Sequence, residues 1–121
     1  MDPIKLLLVD DNDDVREITA LLLRDGGYEV IQASSGTDAL AALDADPAIA
    51  LLIVDFAMPG MSGIKLLEQA RAKSPRIRVV FITGYAEQPW LEGKFAGEIV
   101  VKKPFTMEQL APAVRKALAR P

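Results

Sequence analysis

The middle of the chain reads Leu51-Leu52-Ile53-Val54-Asp55, four apolar residues followed at once by an aspartate. A run that is apolar at every position is typical of a strand buried on both faces, as in a parallel sheet. Residues 28–32 form a more polar run, which predicts an exposed edge strand. Three further apolar runs also end in polar residues: Leu6–Val9 before Asp10-Asp11, Val79–Ile82 before Thr83, and Ile99–Val101 before Lys102-Lys103.

Amphipathic patterns separate these runs and predict helices. In the first pattern Val15, Ile18 and Leu22 share one face, and Asp13 and Asp14 lie where the helix dipole favours negative charge. The apolar positions of three further predicted helices are Ala39, Leu40 and Leu43, then Ile64, Leu67 and Ala70, and finally Leu110, Val114, Ala117 and Leu118.

Residues 85–98 contain Pro89, Gly93 and Gly97, so any helix there should be short or irregular. Strands and helices therefore alternate along the chain. Alternation with short connections predicts an α/β fold in which helices cover both faces of a doubly wound parallel sheet. We expect one domain over residues 1–121, because the length suits a single core and no internal linker is visible.

The composition excludes several classes of function. The chain has no cysteine and no histidine, which removes disulfides, thiolate metal sites and histidine-based catalysis. Its net charge is −3 and its basic residues are scattered, which argues against nucleic acid as a direct partner. No run is long enough for a signal peptide or a membrane span, so we expect a cytoplasmic protein with no membrane partner.

Polar residues follow the buried runs at the strand ends. In an open parallel sheet, ligands bind outside the carboxyl ends of the strands, so Asp10, Asp11, Asp55, Thr83 and Lys103 should share one crevice. Crowded carboxylates repel each other, and a hard cation with oxygen ligands relieves the repulsion, which favours Mg²⁺. Mg²⁺ recruits phosphate oxygens, and a carboxylate can accept a phosphoryl group as an aspartyl phosphate.

The motifs at these strand ends closely resemble those of bacterial two-component response-regulator receiver domains, over nearly the whole chain. The resemblance implies a flavodoxin-like three-layer sandwich with five parallel strands in the order 2-1-3-4-5. It also implies a phosphoacceptor switch in a phosphorelay and not an enzyme in the usual sense. The motifs are Leu8-Val9-Asp10-Asp11, the stretch from Ile53-Val54-Asp55 to Ser62-Gly63, Ile82-Thr83-Gly84, and Lys103-Pro104-Phe105.

The resemblance also implies a metal site around the acceptor. Asp55 looks like the phosphoacceptor and a ligand of Mg²⁺. Asp11 would bind the ion directly and Asp10 through water. The backbone carbonyl of Ala57 would be a further ligand.

Three more residues receive roles from the resemblance. Thr83 would follow the phosphoryl group and pull its loop inward. Lys103 would pair with the phosphoryl group or, before phosphorylation, with Asp55. The Lys103–Pro104 peptide is expected to be cis, which aims the lysine into the site. The donor would be a phosphohistidine on a sensor histidine kinase or a phosphotransfer protein, and the downstream protein partner is unknown.

The sequence departs from the family pattern on the last strand. Receivers commonly carry an aromatic switch residue three positions before the lysine, where this chain has Val100. A rotating ring therefore cannot report phosphorylation at this position. We hypothesise that Tyr85, Trp90 or Phe95 takes over part of the read-out.

Two other functions compete with the switch. Phosphohydrolases of the haloacid-dehalogenase kind also use a strand-end aspartate, Mg²⁺, threonine and lysine, but they need a second aspartate two positions after the nucleophile. Here Asn12 follows Asp10 at that spacing and Ala57 follows Asp55. A phosphorylation-independent pseudo-receiver is the other alternative, which the missing aromatic switch keeps open.

Overall fold

The computed structural model describes residues 2–84 and 97–120. Strands and helices alternate along the chain, as the sequence pattern predicts. The elements are β1 (Lys5–Val9), α1 (Asp13–Asp25), β2 (Glu29–Ala33), α2 (Gly36–Ala45), β3 (Ile49–Asp55), α3 (Gly63–Lys73), β4 (Arg78–Thr83), β5 (Ile99–Lys102) and α4 (Met107–Leu118).

All five strands are parallel and lie in the order β2-β1-β3-β4-β5. Side chains from α2 and α3 pack with one face of the sheet, and those from α1 and α4 pack with the other. The doubly wound three-layer sandwich predicted from the sequence is confirmed. Strand β2 lies at the edge, as its polar composition predicts.

The strand order places a crevice between β1 and β3. The chain leaves β1 toward β2 on one side and returns to β3 on the other, so the connections diverge at the carboxyl ends of β1 and β3. Ligands of doubly wound sheets bind at such a switch point. Asp10 directly follows β1 and Asp55 ends β3, so both lie at this crevice.

Side-chain caps begin three of the helices directly after the strand-end loops. Asn12 Oδ1 accepts from the backbone N–H of Val15 at 3.0 Å, and Ser62 Oγ accepts from Lys65 at 3.2 Å. Ser35 caps α2 in the same way. Because each cap satisfies an otherwise unpaired helical N–H, it fixes where the loop ends and the helix starts.

The face of α1 that carries Val15, Ile18 and Leu22 is not the buried one. Ile18 is 59% exposed and Leu22 is 43% exposed, whereas Ala20 and Leu23 pack in the core. The amphipathic pattern thus identified the helix correctly, but its apolar stripe is wider than the face that the sheet covers. The uncovered part leaves an apolar surface on α1.

The short or irregular helix predicted for residues 85–98, between β4 and β5, falls mainly on residues 85–96, which lie outside the described residues. Within the described part of the chain, no helix is long and apolar enough to cross a membrane.

Candidate functional site

The carboxyl ends of three strands meet around the ammonium of Lys103. Lys103 Nζ donates to Asp10 Oδ2 at 2.9 Å and to Asp55 Oδ2 at 3.0 Å. Asp10 follows β1, Asp55 ends β3 and Lys103 follows β5. The structure therefore brings together residues that are up to 93 positions apart in the sequence.

The three aspartates differ in their remaining contacts. Asp10 is only 3% exposed, and its Oδ1 accepts from the backbone N–H of Asn12 at 2.9 Å. Asp55 Oδ1 accepts from the backbone N–H of Ala57 at 3.1 Å. Asp11 is exposed, and its carboxylate makes no hydrogen bond or ion pair with the rest of the described chain. Asp11 thus has both oxygens available for a ligand.

This arrangement fits a divalent cation. Carboxylate oxygens of Asp10, Asp11 and Asp55 all lie within 4.8 Å of one another. When all three are ionised, one lysine leaves two negative charges unbalanced. Oxygen ligands and a partly exposed rim, which lets the ion keep water, match Mg²⁺ better than the softer transition metals.

Thr83 carries an unpaired hydroxyl into the same edge of the sheet. The residue is 0% exposed, and its Oγ1 has no hydrogen-bond partner in the part of the chain that the structure describes. A buried polar group without a partner is costly and uncommon. A ligand oxygen that reached this buried hydroxyl would satisfy it.

Backbone hydrogen bonds beyond the strands hold these ends in register. Phe56 N donates to Ile82 O at 2.7 Å, which joins the end of β3 to β4. Lys103 N donates to Thr83 O at 2.8 Å, which joins β4 to the residue after β5. The sheet thus continues through the site, so the relative positions of Asp55, Thr83 and Lys103 are set by main-chain bonds.

Burial and charge shift two of the ionisable groups. Burial raises the pKa of the Asp55 carboxyl above its ordinary value, and the hydrogen bond and charge of Lys103 only partly offset this effect. Burial alone would lower the pKa of Lys103, but the hydrogen bonds and charges of Asp10 and Asp55 outweigh it, so the lysine pKa is raised. Lys103 therefore remains an ammonium between the two carboxylates.

The loop after Asp55 is packed closely against the start of α3. Gly63 N donates to Phe56 O at 2.9 Å. A Cβ on Gly63 would lie 2.8 Å from the carbonyl oxygen of Asp55, so only glycine fits without a shift of the loop. The Phe56 ring packs edge-on against Phe81, with centroids 5.8 Å apart. These contacts fix the backbone that carries Asp55.

Sequence analysis missed Arg16 as a supporting residue. Its guanidinium donates to the carbonyl oxygen of Asp10 at 2.8 Å and to Gln32 Oε1 at 3.1 Å, and it pairs with Asp13 at 2.8 Å. It thereby ties α1 and β2 to the loop that carries the acidic pair. Arg16 lies in the first turn of α1, among polar residues, so nothing in the sequence distinguishes it from an arginine exposed to solvent.

The remaining predicted residues have mixed outcomes. The Lys103–Pro104 peptide is cis, as predicted. The backbone N–H of Ala57 bonds to Asp55, and the role of its carbonyl as a metal ligand stays a prediction. Val100 lies on β5 beside Phe81 and is half-buried against the core. Tyr85, Trp90 and Phe95 lie outside the described residues.

An apolar groove, which we call the α1 groove, lies beside the site and has a volume of about 430 Å³. It runs between α1 and the loop after β5, and Lys103 forms part of its wall. The exposed apolar surface of α1 thus extends to Lys103, which contacts Asp55. The other residues lining the groove are Val15, Ile18, Thr19, Leu22, Pro104 and Phe105.

Comparisons with known proteins agree with this geometry. The family model for the response regulator receiver domain matches residues 6–115. The chain is 34% identical to the sensor kinase CckA of Brucella abortus, covering 95% of this chain and 12% of that protein. It is 32% identical to the response regulator receiver protein CpdR of Brucella abortus, covering 94% of this chain and 96% of that protein.

A solved structure shows the same fold. The chemotaxis protein CheY4 of Vibrio cholerae superposes with a TM-score of 0.85 at 29% identity, covering 95% of this chain and 98% of that one. The strand order, the acidic crevice and the family match therefore agree. The chain belongs to the response regulator receiver domain family of two-component signalling.

Proposed function

We propose that this receiver domain is a phosphoacceptor switch, in which Asp55 takes a phosphoryl group from a phosphohistidine donor with Mg²⁺. The observation that supports it most is the contact of the Lys103 ammonium with both Asp10 and Asp55, beside the unpaired carboxylate of Asp11. This arrangement supplies a nucleophile, a cation and sites for a second cation, which is what phosphoryl transfer requires.

Asp55 is the best placed of the three carboxylates to act as nucleophile. It ends the central strand β3. The neighbouring strand β4 ends at Thr83, which carries the hydroxyl. Its raised pKa makes the ionised carboxylate a stronger base, and hence a stronger nucleophile, than an ordinary surface aspartate. In the step, a carboxylate oxygen bonds to phosphorus, and the phosphorus–nitrogen bond breaks with its electron pair passing to the imidazole.

Mg²⁺, when bound by Asp10, Asp11, Asp55 and the carbonyl of Ala57, would neutralise charge on the phosphoryl oxygens. Lys103 supplies a fixed positive charge beside the acceptor oxygen in any case. On phosphorylation, Lys103 would exchange the carboxylate of Asp55 for an oxygen of the phosphoryl group. The chain's own contribution to the step is therefore to position the carboxylate and to compensate its charge.

The hydroxyl of Thr83 provides the read-out of the modified state. In the resting protein it is buried and has no hydrogen-bond partner among the described residues. A phosphoryl group adds about 1.5 to 2 negative charges and three acceptor oxygens. One such oxygen would give Thr83 its missing hydrogen bond, and the backbone after Thr83 would move with it. The free energy of that bond favours the switched conformation.

The α1 groove supports docking of a protein donor. Its lining is mainly apolar, and it borders Lys103, so a helix seated there would bring a phosphohistidine close to Asp55. Ile18 and Leu22 are exposed in this groove. A contiguous patch of exposed apolar side chains usually marks a surface that binds a partner. The partner is accordingly a sensor histidine kinase or a phosphotransfer protein.

The structure offers no support for the phosphohydrolase alternative. Asn12 occupies the position where such an enzyme needs its second aspartate, and its side chain caps α1 by accepting from Val15 N. Ala57 occupies the corresponding position after Asp55 and has no side-chain acid. A general acid or base for the turnover of phosphate esters is thus missing at both positions.

Intact mass after incubation with acetyl phosphate tests the proposal, with and without Mg²⁺. The wild type should gain one phosphoryl group only with Mg²⁺, and Asp55→Asn should gain none. Asp44→Asn, which changes an exposed carboxylate paired with Lys73, should behave as the wild type. Binding of beryllofluoride by the wild type but not by Asp55→Asn should accompany this. Failure of both assays in the wild type would establish a pseudo-receiver.

A further inference from the structure

A second cavity lies at the amino-terminal ends of the strands, opposite the end that carries Asp55. It has a volume of about 630 Å³ and lies where β4 begins and where α3 and α4 end. Four arginines and one glutamate supply its charged groups. They are Arg71, Arg76, Arg78, Arg120 and Glu98.

Three of the arginines are held in place by the protein itself. Arg71 pairs with Glu98 at 2.8 Å, and Arg120 pairs with the other oxygen of the same carboxylate at 3.5 Å. Arg78 Nε donates to the carbonyl oxygen of Arg120 at 2.8 Å. The side chain of Glu98 is 13% exposed, so its position is fixed by packing as well as by charge. Each guanidinium still has N–H groups that these bonds do not use.

The charges in this cavity do not balance. Among the residues that the structure describes, four guanidiniums face a single carboxylate at this cavity. Arg76 is exposed and makes no hydrogen bond or ion pair among the residues that the structure describes. Because like charges held close together repel, this arrangement costs stability unless an anion joins it. A polyanion would offset the repulsion and use the unpaired N–H groups.

Part of the lining between the arginines is apolar. Pro75, which is exposed, supplies this part together with Ile77, Val79 and Ala117, which are buried in the core. An adjoining cavity of about 440 Å³ lies on the far side of Arg76 and Arg78 and shares both residues. Cavities of this size, with apolar walls and a few fixed polar groups, accept compounds of nucleotide size and not only single ions.

We infer that this basic cavity binds a phosphate-bearing compound of nucleotide size. Arg76 and Arg78 bind the phosphate oxygens, since guanidinium groups match phosphate in a bidentate geometry. The rest of the molecule packs against the exposed Pro75, next to Arg76 in the lining. Glu98 holds Arg71 and Arg120 in place and limits affinity by its own charge. The site is independent of the acidic crevice, which lies at the other end of the strands.

Isothermal titration calorimetry with adenosine 5′-diphosphate on the full chain tests the inference, with EDTA present to keep divalent ions from the aspartates. The wild type should bind, and Asp55→Asn should bind equally well. Arg76→Gln/Arg78→Gln should weaken binding by about tenfold or more, because it removes charge-assisted hydrogen bonds to phosphate. Arg76→Gln alone changes an exposed residue with no partner among the described residues, so it should weaken binding without lowering the thermal unfolding temperature.

Arg115→Gln/Lys116→Gln is the matched control. It removes the same charge from exposed positions on α4 that do not line the cavity, and binding should stay within about twofold of the wild type. Equal weakening in the control would mean general charge attraction and would overturn the site. Absence of binding at millimolar nucleotide, or loss of binding in Asp55→Asn, would also overturn it. Inorganic phosphate binding as tightly as the nucleotide would refute a nucleotide-sized ligand.

Discussion

The ammonium nitrogen of Lys103 lies 3.0 Å from a carboxylate oxygen of Asp55 and joins the ends of β5 and β3 across the intervening β4. The same nitrogen also contacts Asp10. The carboxylates at the ends of β1 and β3 therefore depend on one cation, which follows β5, for charge compensation. Loss of that cation should affect both the stability of the resting protein and its response to a divalent ion.

Lys103→Met should lower the free energy of unfolding by about 1–3 kcal/mol in EDTA. This loss of stability is smaller than the loss expected on breaking a fully buried ion pair, because 24% of the lysine side chain is exposed. Added Mg²⁺ should recover much of the loss, since the ion supplies the missing positive charge. Urea denaturation with and without Mg²⁺ measures both effects. Lys102→Met changes the exposed neighbour and should leave both values unchanged, and an equal loss in that variant would contradict the argument.

Thr83→Val should raise the free energy of unfolding of the resting protein by about 1 kcal/mol, because it removes a buried hydroxyl that has no partner in the described part of the chain. The same variant should respond less to beryllofluoride, since the ligand loses a hydrogen-bond donor. Thr83→Ser keeps the hydroxyl but leaves a small cavity, so it should lower stability and retain the response. Thermal unfolding with and without beryllofluoride measures both the stability of each variant and its response to the ligand. A destabilised Thr83→Val would show that the hydroxyl is satisfied in the resting state.

Gly63→Ala should destabilise the protein by about 1–3 kcal/mol, the usual cost of overpacking a close contact. The added Cβ would meet backbone atoms, the carbonyl oxygen of Asp55 at 2.8 Å and Phe56 Cα at 3.1 Å, which cannot move independently. Phosphorylation by acetyl phosphate should slow as the acceptor loop shifts. Gly36→Ala is the comparison, because its Cβ would meet the flexible side chain of Met61. Equal effects of the two substitutions on both measurements would refute the role of the loop backbone.

The sequence predicted the strand ends well because that information is local. Each buried run is apolar at every position and stops at a polar residue, so the sheet and the convergence of Asp10, Asp55 and Lys103 could be predicted together. The caps of α1, α2 and α3 are local in the same way, since a serine or asparagine directly precedes each of these helices, although our sequence analysis did not predict them.

The contacts that the sequence did not reveal depend on tertiary geometry. Ile18 has the spacing of a core residue, but its exposure depends on how α1 is rotated on the sheet, and no local pattern encodes that rotation. Arg16 looks like any helical arginine until the fold brings the Asp10 carbonyl and Gln32 to it. The arginines of the basic cavity are likewise dispersed in the sequence and gather only at the ends of three elements.

The stability of Asp55→Asn relative to the wild type should increase as pH rises from about 4. Burial raises the pKa of Asp55 in the folded protein, so just above that pH the folded state keeps a proton that the unfolded chain has lost. The contribution of protonated Asp55 is complete below the unfolded pKa and is lost as pH rises through the folded pKa. Urea denaturation in EDTA between about pH 4 and 7 measures the difference. Parallel pH curves for the two proteins would contradict the raised pKa.

Ile18→Asp should slow phosphoryl transfer from a histidine kinase about tenfold or more, because a charge in the α1 groove removes an apolar anchor at a docking surface. The kinase used is one first shown to phosphorylate the wild type. Phosphorylation by acetyl phosphate should be unchanged, since a small donor needs no docking surface, and stability should be unchanged because Ile18 is 59% exposed. Leu21→Asp makes the same change on the same helix at a residue that is 64% exposed and does not line the groove. Transfer to Leu21→Asp should stay near the wild-type rate. Equal slowing in both variants would assign the effect to charge on α1, and slowing with acetyl phosphate would assign it to the acceptor site itself.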